Sequence, residues 1–169
     1  MEPRRVSDSQ TVLVHSLGPT DANSAGFVHG GVVMKLCDSA AGVAAIRHSR
    51  GRVVTAGMDR MTFNEPIEVG ELLTLRASVN AVWRTSMEVG VRVEAERLEA
   101  GVVRHTNTAY LTMVAVEPDG RPRAVPPLAC ESDDERRRES AAQTRRRNRL
   151  AEREEMLPAR AGPTSPAGA

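Results

Sequence analysis

Six residues between positions 23 and 38 have the types and spacing that chemistry could use. Asn23, Gly26, His29, Gly30 and Gly31 run as N-x-x-G-x-x-H-G-G, and Asp38 follows two helical turns later. A helix that opens at a pair of glycines offers unpaired backbone N–H groups and the positive end of its dipole with no side chain in the way. That suits an incoming carbonyl oxygen or anion. The same glycines also serve wherever another segment must pack closely. Asp38 is the one carboxylate between Val32 and Ile46, a stretch otherwise mostly apolar, and a carboxylate taken out of water needs a partner. At about 100° per residue, positions 31, 34, 35, 38, 41, 42 and 45 share a face. Asp38 therefore looks across Gly31, Lys35, Ala41 and Gly42, small enough for another chain or a slender ligand to come close. A plain ion pair with Lys35 at i−3 is the competing reading. Asn23 belongs equally to ordinary turn chemistry in Thr20-Asp21-Ala22-Asn23. His29 suits a local hydrogen bond at the helix start, and Cys37, about 100° round from Asp38, faces the core. The chain has no nucleophile elbow, phosphate loop or zinc-ligand spacing.

The elements that must position this cluster follow from the hydrophobic pattern. Thr11 to Leu17 reads as a first strand, closed by the turn signal Gly18-Pro19. His29 to His48 reads as a helix. Val33, Leu36, Cys37, Ala40 and Ala44 form one stripe, while Val32, Val43 and Ile46 spread apolar surface round most of the circumference, so the helix is buried on several sides. Arg52 to Phe63, Leu72 to Trp83, Met87 to Leu98 and Val103 to Val116 read as strands. Met87, Val89, Val91, Val93 and Ala95 alternate with Glu88, Gly90, Arg92, Glu94 and Glu96, a period of two. One buried helix followed by four antiparallel strands predicts an α+β fold, a curved sheet wrapped around one long central helix. No internal repeat occurs, so each chain encodes one such unit.

Composition bounds the function. With 169 residues the chain forms one core with some chain left over. Phe, Trp and Tyr make up only 2% of it, which argues against a nucleic-acid reader built on stacked aromatics. Lys and Arg number 23 against 22 Asp and Glu, so no global field steers polyanions. The longest apolar stretch, Ala40 to Ile46, is too short for a bilayer, and the opening residues lack an apolar signal core. No membrane and no nucleic acid are expected as partners. Cys37 and Cys130 read as reduced thiols of a cytoplasmic protein.

Composition changes near Pro118. The boundaries expected are a folded domain at 6–119, a Pro-rich connector with a charged helical tail at 120–157, and a disordered C-terminus at 158–169. The tail ESDDERRRESAAQTRRRNRLAEREEM has almost no large apolar residue, so it reads as an exposed helix of marginal stability, with Ser132 or Asp133 as its N-cap. The glutamates around Arg145, Arg146, Arg147 and Arg149 nearly cancel their charge, against a nucleic-acid-binding arm.

TDANSAGFVHGGVVMKLCDSAAG, then VVTAGMDRMTFNEPIEVGELLTL, RTSMEVGVRVEAE, HTNTAYLTMVAV and DGRPRAVPPL, together resemble the acyl-CoA thioesterases of the hotdog fold, in particular their broad-specificity cytosolic branch. The resemblance runs from about Val6 to about Arg149. It implies a single hotdog unit that pairs into a homodimer, often three pairs to a hexamer as a trimer of dimers, and hydrolysis of acyl-CoA without metal or organic cofactor. On this resemblance Asp38 activates water or attacks directly, Asn23 orients the nucleophile or the thioester, and a backbone N–H at Gly31 stabilises the oxyanion. Gly30, His29 and the segment Arg84, Thr85, Ser86 are its substrate-binding residues, the last lining the coenzyme groove unless it is a plain hairpin turn. A non-catalytic acyl-CoA sensor is the alternative, and retention of both Asn23 and Asp38 argues against it. A hydratase on the same fold lacks support, because neither Asp38 nor Asp59 is followed by a histidine five residues on.

Overall fold

The computed structural model describes residues 1–156, so the disorder expected at 158–169 lies outside the described residues. Among the described residues seven strands and two α-helices follow one another: β1 (Arg4–Arg5), β2 (Thr11–Ser16), α1 (Gly30–Ser49), β3 (Val53–Met58), β4 (Leu72–Val82), β5 (Ser86–Arg97), β6 (Val102–Ala115), β7 (Leu128–Ala129) and α2 (Asp133–Met156). Strands β2-β4-β5-β6-β3 lie in that spatial order, antiparallel throughout. Register shifts at Val79/Ala81, Val93/Glu94 and Thr55/Gly57 bend the strands, as bulges do, and the sheet curls around α1. This is the hotdog arrangement.

The alternation in β5 sets the two faces. Met87, Val89, Val91, Val93 and Ala95 are all buried against α1 and its neighbours. The helix meets them with Val33, Cys37, Ala40, Ala41, Ala44 and Ala45, small side chains that let strand and helix approach closely. His29 caps its start, and Arg50, in the left-handed region at φ 52°, ends it by donating its N–H to the Ile46 carbonyl. Among the described residues no helix is long and apolar enough to cross a membrane.

Two expectations need correction. The strand expected over 52–63 stops at Met58, because the chain then leaves the sheet toward Pro66, which lacks an N–H to give a ladder. The connector and tail are also not a solvated appendage. Val125 joins the core and donates its N–H to the Arg84 carbonyl, and β7 pairs in parallel with β1. Helix α2 starts with a capping box: Ser132 Oγ accepts from Glu135 N–H (3.2 Å), while Glu135 Oε2 accepts from Ser132 N–H (3.2 Å). It docks on the outer sheet face, where Ala142 is fully buried, Trp83 Nε1–H donates to Gln143 Oε1 (3.0 Å), and Arg145 lies 3.7 Å from the Tyr110 ring centroid. A search for large apolar residues misses this contact because arginine stems, guanidinium stacking and ion pairs make it.

The connector also encloses a histidine. His48 is fully buried, and its ring Nε2–H donates to the Pro126 carbonyl (2.9 Å), since a carbonyl can only accept. Nδ1 is buried without a partner among the described residues. Burial holds the ring below its ordinary value of 6.5, outweighing the Pro126 hydrogen bond. The folded state thus resists a proton that the unfolded chain accepts, so stability is complete above pH 6.5 and declines as pH falls below it. The slope is at most about 1.4 kcal/mol per pH unit. Melting curves from pH 7.5 down to 5 are expected to show that decline, and His48→Gln to flatten it; an equal decline in the variant assigns it elsewhere.

Candidate active site

The segment before α1 is tied down by its own side chains. Asp21 Oδ2 accepts from Gly18 N–H (2.8 Å) and the Asp21 carbonyl accepts from His29 N–H (2.8 Å). Asn23 Oδ1 accepts from both Ala25 N–H (2.8 Å) and Phe27 N–H (3.2 Å). Two donors on one atom identify it as the amide oxygen, which leaves Nδ2 as the group Asn23 can offer a ligand. Gly26, at φ +85°, makes the turn between them. Asn23 lines a cavity of ≈ 360 Å³ together with Phe27, Val28, Gly30, Val33 and Phe63.

The cavity's far wall, 64–67, is held by a strong ion cluster. Arg104 donates to Glu65 Oε2 (3.0 Å), to the Pro66 carbonyl (2.9 Å) and to both oxygens of the nearly buried Glu71. Those bonds hold the Glu71 carboxyl below its usual range against the upward pull of burial. Val28 N–H donates to the Ile67 carbonyl (2.8 Å), so both walls are fixed to each other.

At the helix start the structure gives the expected oxyanion donor a partner. The Gly31 N–H is not free: it donates to His29 Nδ1 (2.9 Å). The amide can meet a substrate oxygen only when the imidazole swings aside. A Cβ on Gly31 would stand 3.0 Å from that ring nitrogen, and one on Gly30 would stand 3.2 Å from the Phe63 ring. Close packing is therefore a real reason for both glycines.

Asp38 lies exposed on α1, and its partner is Thr55 of β3 rather than Lys35: Thr55 Oγ1–H donates to Asp38 Oδ1 (2.6 Å). Oδ2 is left for a second proton or a water. Thr55 was not legible in the sequence, since it stands on a strand 17 residues away and only the packing of β3 beside α1 brings it in. Asp38 does not line the Asn23 cavity. One chain thus builds Asp38–Thr55 and Asn23–Gly30–Gly31 as separate groups.

The Arg84–Ser86 hairpin works structurally: the Thr85 carbonyl accepts from Ala115 N–H (3.0 Å), and the Arg84 carbonyl from Val125 N–H (3.1 Å). The register also places it near Asp38. Ser86 pairs with Val114, which pairs with Val54, one residue before Thr55. Two strand spacings, roughly 10 Å, separate them. Cys37 sits in the core, its thiol pushed up to about 12 by burial, and is no nucleophile. Among the described residues no three His, Cys, Asp or Glu side chains converge where a metal ion could be held.

Among the described residues strand β3 is a sheet edge, and Val54, Met34, Val43 and Ile46 are 41–50% exposed on it and on α1. Such a surface invites a second strand and helix.

Residues 25–102 match the model of the thioesterase superfamily. The chain is 38% identical over 139 residues to the cytosolic acyl coenzyme A thioester hydrolase of Mus musculus, a match covering 81% of this chain but spanning only 36% of that relative's length. Among solved structures it is similar to an apo-hexameric acyl-CoA thioesterase, with TM-score 0.86 and 35% identity over 90% of this chain and 97% of that one. It is also similar to the acyl-CoA hydrolase from Staphylococcus aureus, determined with butyryl coenzyme A, coenzyme A and coenzyme A disulfide. That match has TM-score 0.85 and 30% identity over 92% of this chain and 95% of that one.

Proposed function

Since the chain belongs to the thioesterase superfamily, we propose that it hydrolyses acyl-CoA to a free carboxylic acid and coenzyme A in sites shared between two copies of the chain. The observation that carries this reading is the Asp38 carboxylate, exposed yet oriented by Thr55 at 2.6 Å beside the β3 edge of the described sheet. Asp38 Oδ2 takes a proton from a water, and the water oxygen bonds to the thioester carbon. The oxyanion is received by Gly31 N–H, once His29 yields it, and by Asn23 Nδ2. As the C–S bond breaks, the proton passes from Asp38 to the departing thiolate. A thiol is acidic enough that no separate strong acid is needed.

The sharing follows from length. Asp38 stands seven residues beyond Gly31, about 10 Å along the helix at 1.5 Å per residue, too far for both to touch one carbonyl. A two-fold partner joined along β3 runs its helix the other way and brings its own Asp38 to the Asn23 cavity. The hairpin Arg84, Thr85 and Ser86, in the rows next to Thr55, then borders the coenzyme groove. Dimers of this kind can group in three pairs, as the hexameric relative suggests.

Thiol release from acyl-CoAs between acetyl and palmitoyl is expected from the wild type. Asn23→Ala and Asp38→Ala are each expected to be inactive. After subunit exchange half the dimers are mixed, each with one intact site, so about one quarter of wild-type activity should return. Verified exchange without recovery rules out the shared site. Binding of acyl-CoA without any thiol release would make the protein a sensor.

A further inference from the structure

The chain has only two phenylalanines, and neither is in the core. Phe27 is 39% exposed and Phe63 44%, and both line the cavity that holds Asn23. In so aromatic-poor a chain, half-exposed rings on one concave surface are spent on something other than folding. Behind them the wall is Val28, Val33 and Ile67, all buried and without hydrogen-bonding side chains. The lining's one charged residue, among the described residues, is Glu65, a carboxylate already paired with Arg104. No lysine or arginine stands among the described lining residues to hold a phosphate, and although Asn23 and Asn64 stand at the lining, the amides of a pantetheine arm laid against Val28, Val33 and Ile67 would find no partner there.

From this we infer that the Asn23 cavity takes the apolar acyl chain of the substrate, with Phe27 and Phe63 as its lips and Val28, Val33 and Ile67 as its wall. The coenzyme lies outside it. The inference rests on the proposed acyl-CoA reading and adds which end of the substrate enters and which residues set selectivity. Asn23 Nδ2 and the helix start stand where the carbonyl must be, and the chain beyond the carbonyl runs past the rings. Gly30 lets the Phe63 ring lie against the helix, since a Cβ there would be 3.2 Å from Cζ. A side chain at position 30 would push that ring into the cavity. Each methylene buried raises affinity by roughly fourfold until the space is filled.

The test compares kcat/KM for acetyl-, octanoyl- and lauroyl-CoA in the wild type, Phe63→Ala, Phe63→Leu and Phe27→Ala. The wild type is expected to prefer the longer chains. Phe63→Ala should lower the octanoyl-to-acetyl ratio about tenfold, the scale of losing one aromatic contact. Phe63→Leu should keep most of the ratio, and the inhibition constant of free coenzyme A should move less than twofold in both. Equal losses on all three substrates with weaker coenzyme A inhibition would place the pantetheine arm in the cavity and overturn the inference, as would an unchanged ratio. Calorimetry with S-alkyl thioethers of coenzyme A reads the same ratio without turnover. A wild type that binds longer alkyl chains more tightly, loses this in Phe63→Ala and hydrolyses nothing keeps this inference and defeats the proposed activity.

Discussion

Asp38→Asn is expected to fold and assemble as the wild type does while losing roughly 10²–10⁴-fold in turnover, the contribution of a positioned general base. That corresponds to about 3–5 kcal/mol of barrier. The substitution separates geometry from chemistry. Asn matches Asp in size, its amide oxygen can still accept from Thr55 Oγ1, and the position is exposed, so neither packing nor desolvation changes. Only the ability to take a proton from water is lost. Stopped thiol release at saturating substrate, with circular dichroism and sedimentation as controls, checks it. Near-wild-type turnover would reduce Asp38 to a surface residue hydrogen-bonded to Thr55.

The second large effect belongs to stability. Arg145→Ala is expected to destabilise the fold by about 3 kcal/mol, because it removes the main partner of a buried charge. Glu88 is fully buried under α2 and receives Arg145 Nη2–H at 2.6 Å, Arg149 Nη1–H at 3.3 Å and Asn80 Nδ2–H at 3.3 Å. Without Arg145 the carboxylate keeps only its two longer bonds. Either it stays buried and poorly paired, or α2 lifts and lets water in. Both outcomes lower the melting temperature, by roughly 6–12 °C for a chain of this size, and the second also exposes α2 to protease. Glu88→Gln should cost less, since Arg145 and Arg149 are 23% and 27% exposed and can turn toward solvent. Adding Glu88→Met to Arg145→Ala should restore part of the loss by removing the stranded charge. A single-variant effect below about 1 kcal/mol would return α2 to the solvated helix that its composition suggests.

The fold was largely legible because its signals are local. The alternation from Met87 to Ala95 and the apolar circumference of 32–46 each lie within a few residues, and β5 and α1 follow them closely. The misjudged segments fail for the opposite reason. Thr62 and Phe63 are strand formers, yet the chain turns away toward Pro66 and the Arg104 cluster, whose members lie 33–39 residues apart. The tail is polar by any count, and its docking partners, Glu88 and Trp83, lie 57–61 residues upstream.

The candidate site divides along the same line. Sequence by itself singled out Asn23, Gly30, Gly31 and Asp38, and the order of those residues with the helix they open. It also set the separation that keeps Gly31 and Asp38 from one carbonyl, since helical rise is fixed by covalent geometry and hydrogen bonding. Only the tertiary structure decided that Thr55 rather than Lys35 holds Asp38, that His29 occupies the Gly31 amide, and that both phenylalanines stand at one cavity. Those outcomes depend on which surfaces meet when the sheet curls and on which of several nearby donors is nearest after packing. Neither quantity is carried by periodicity or spacing along the chain, because each arises from contacts between segments that the chain itself keeps far apart.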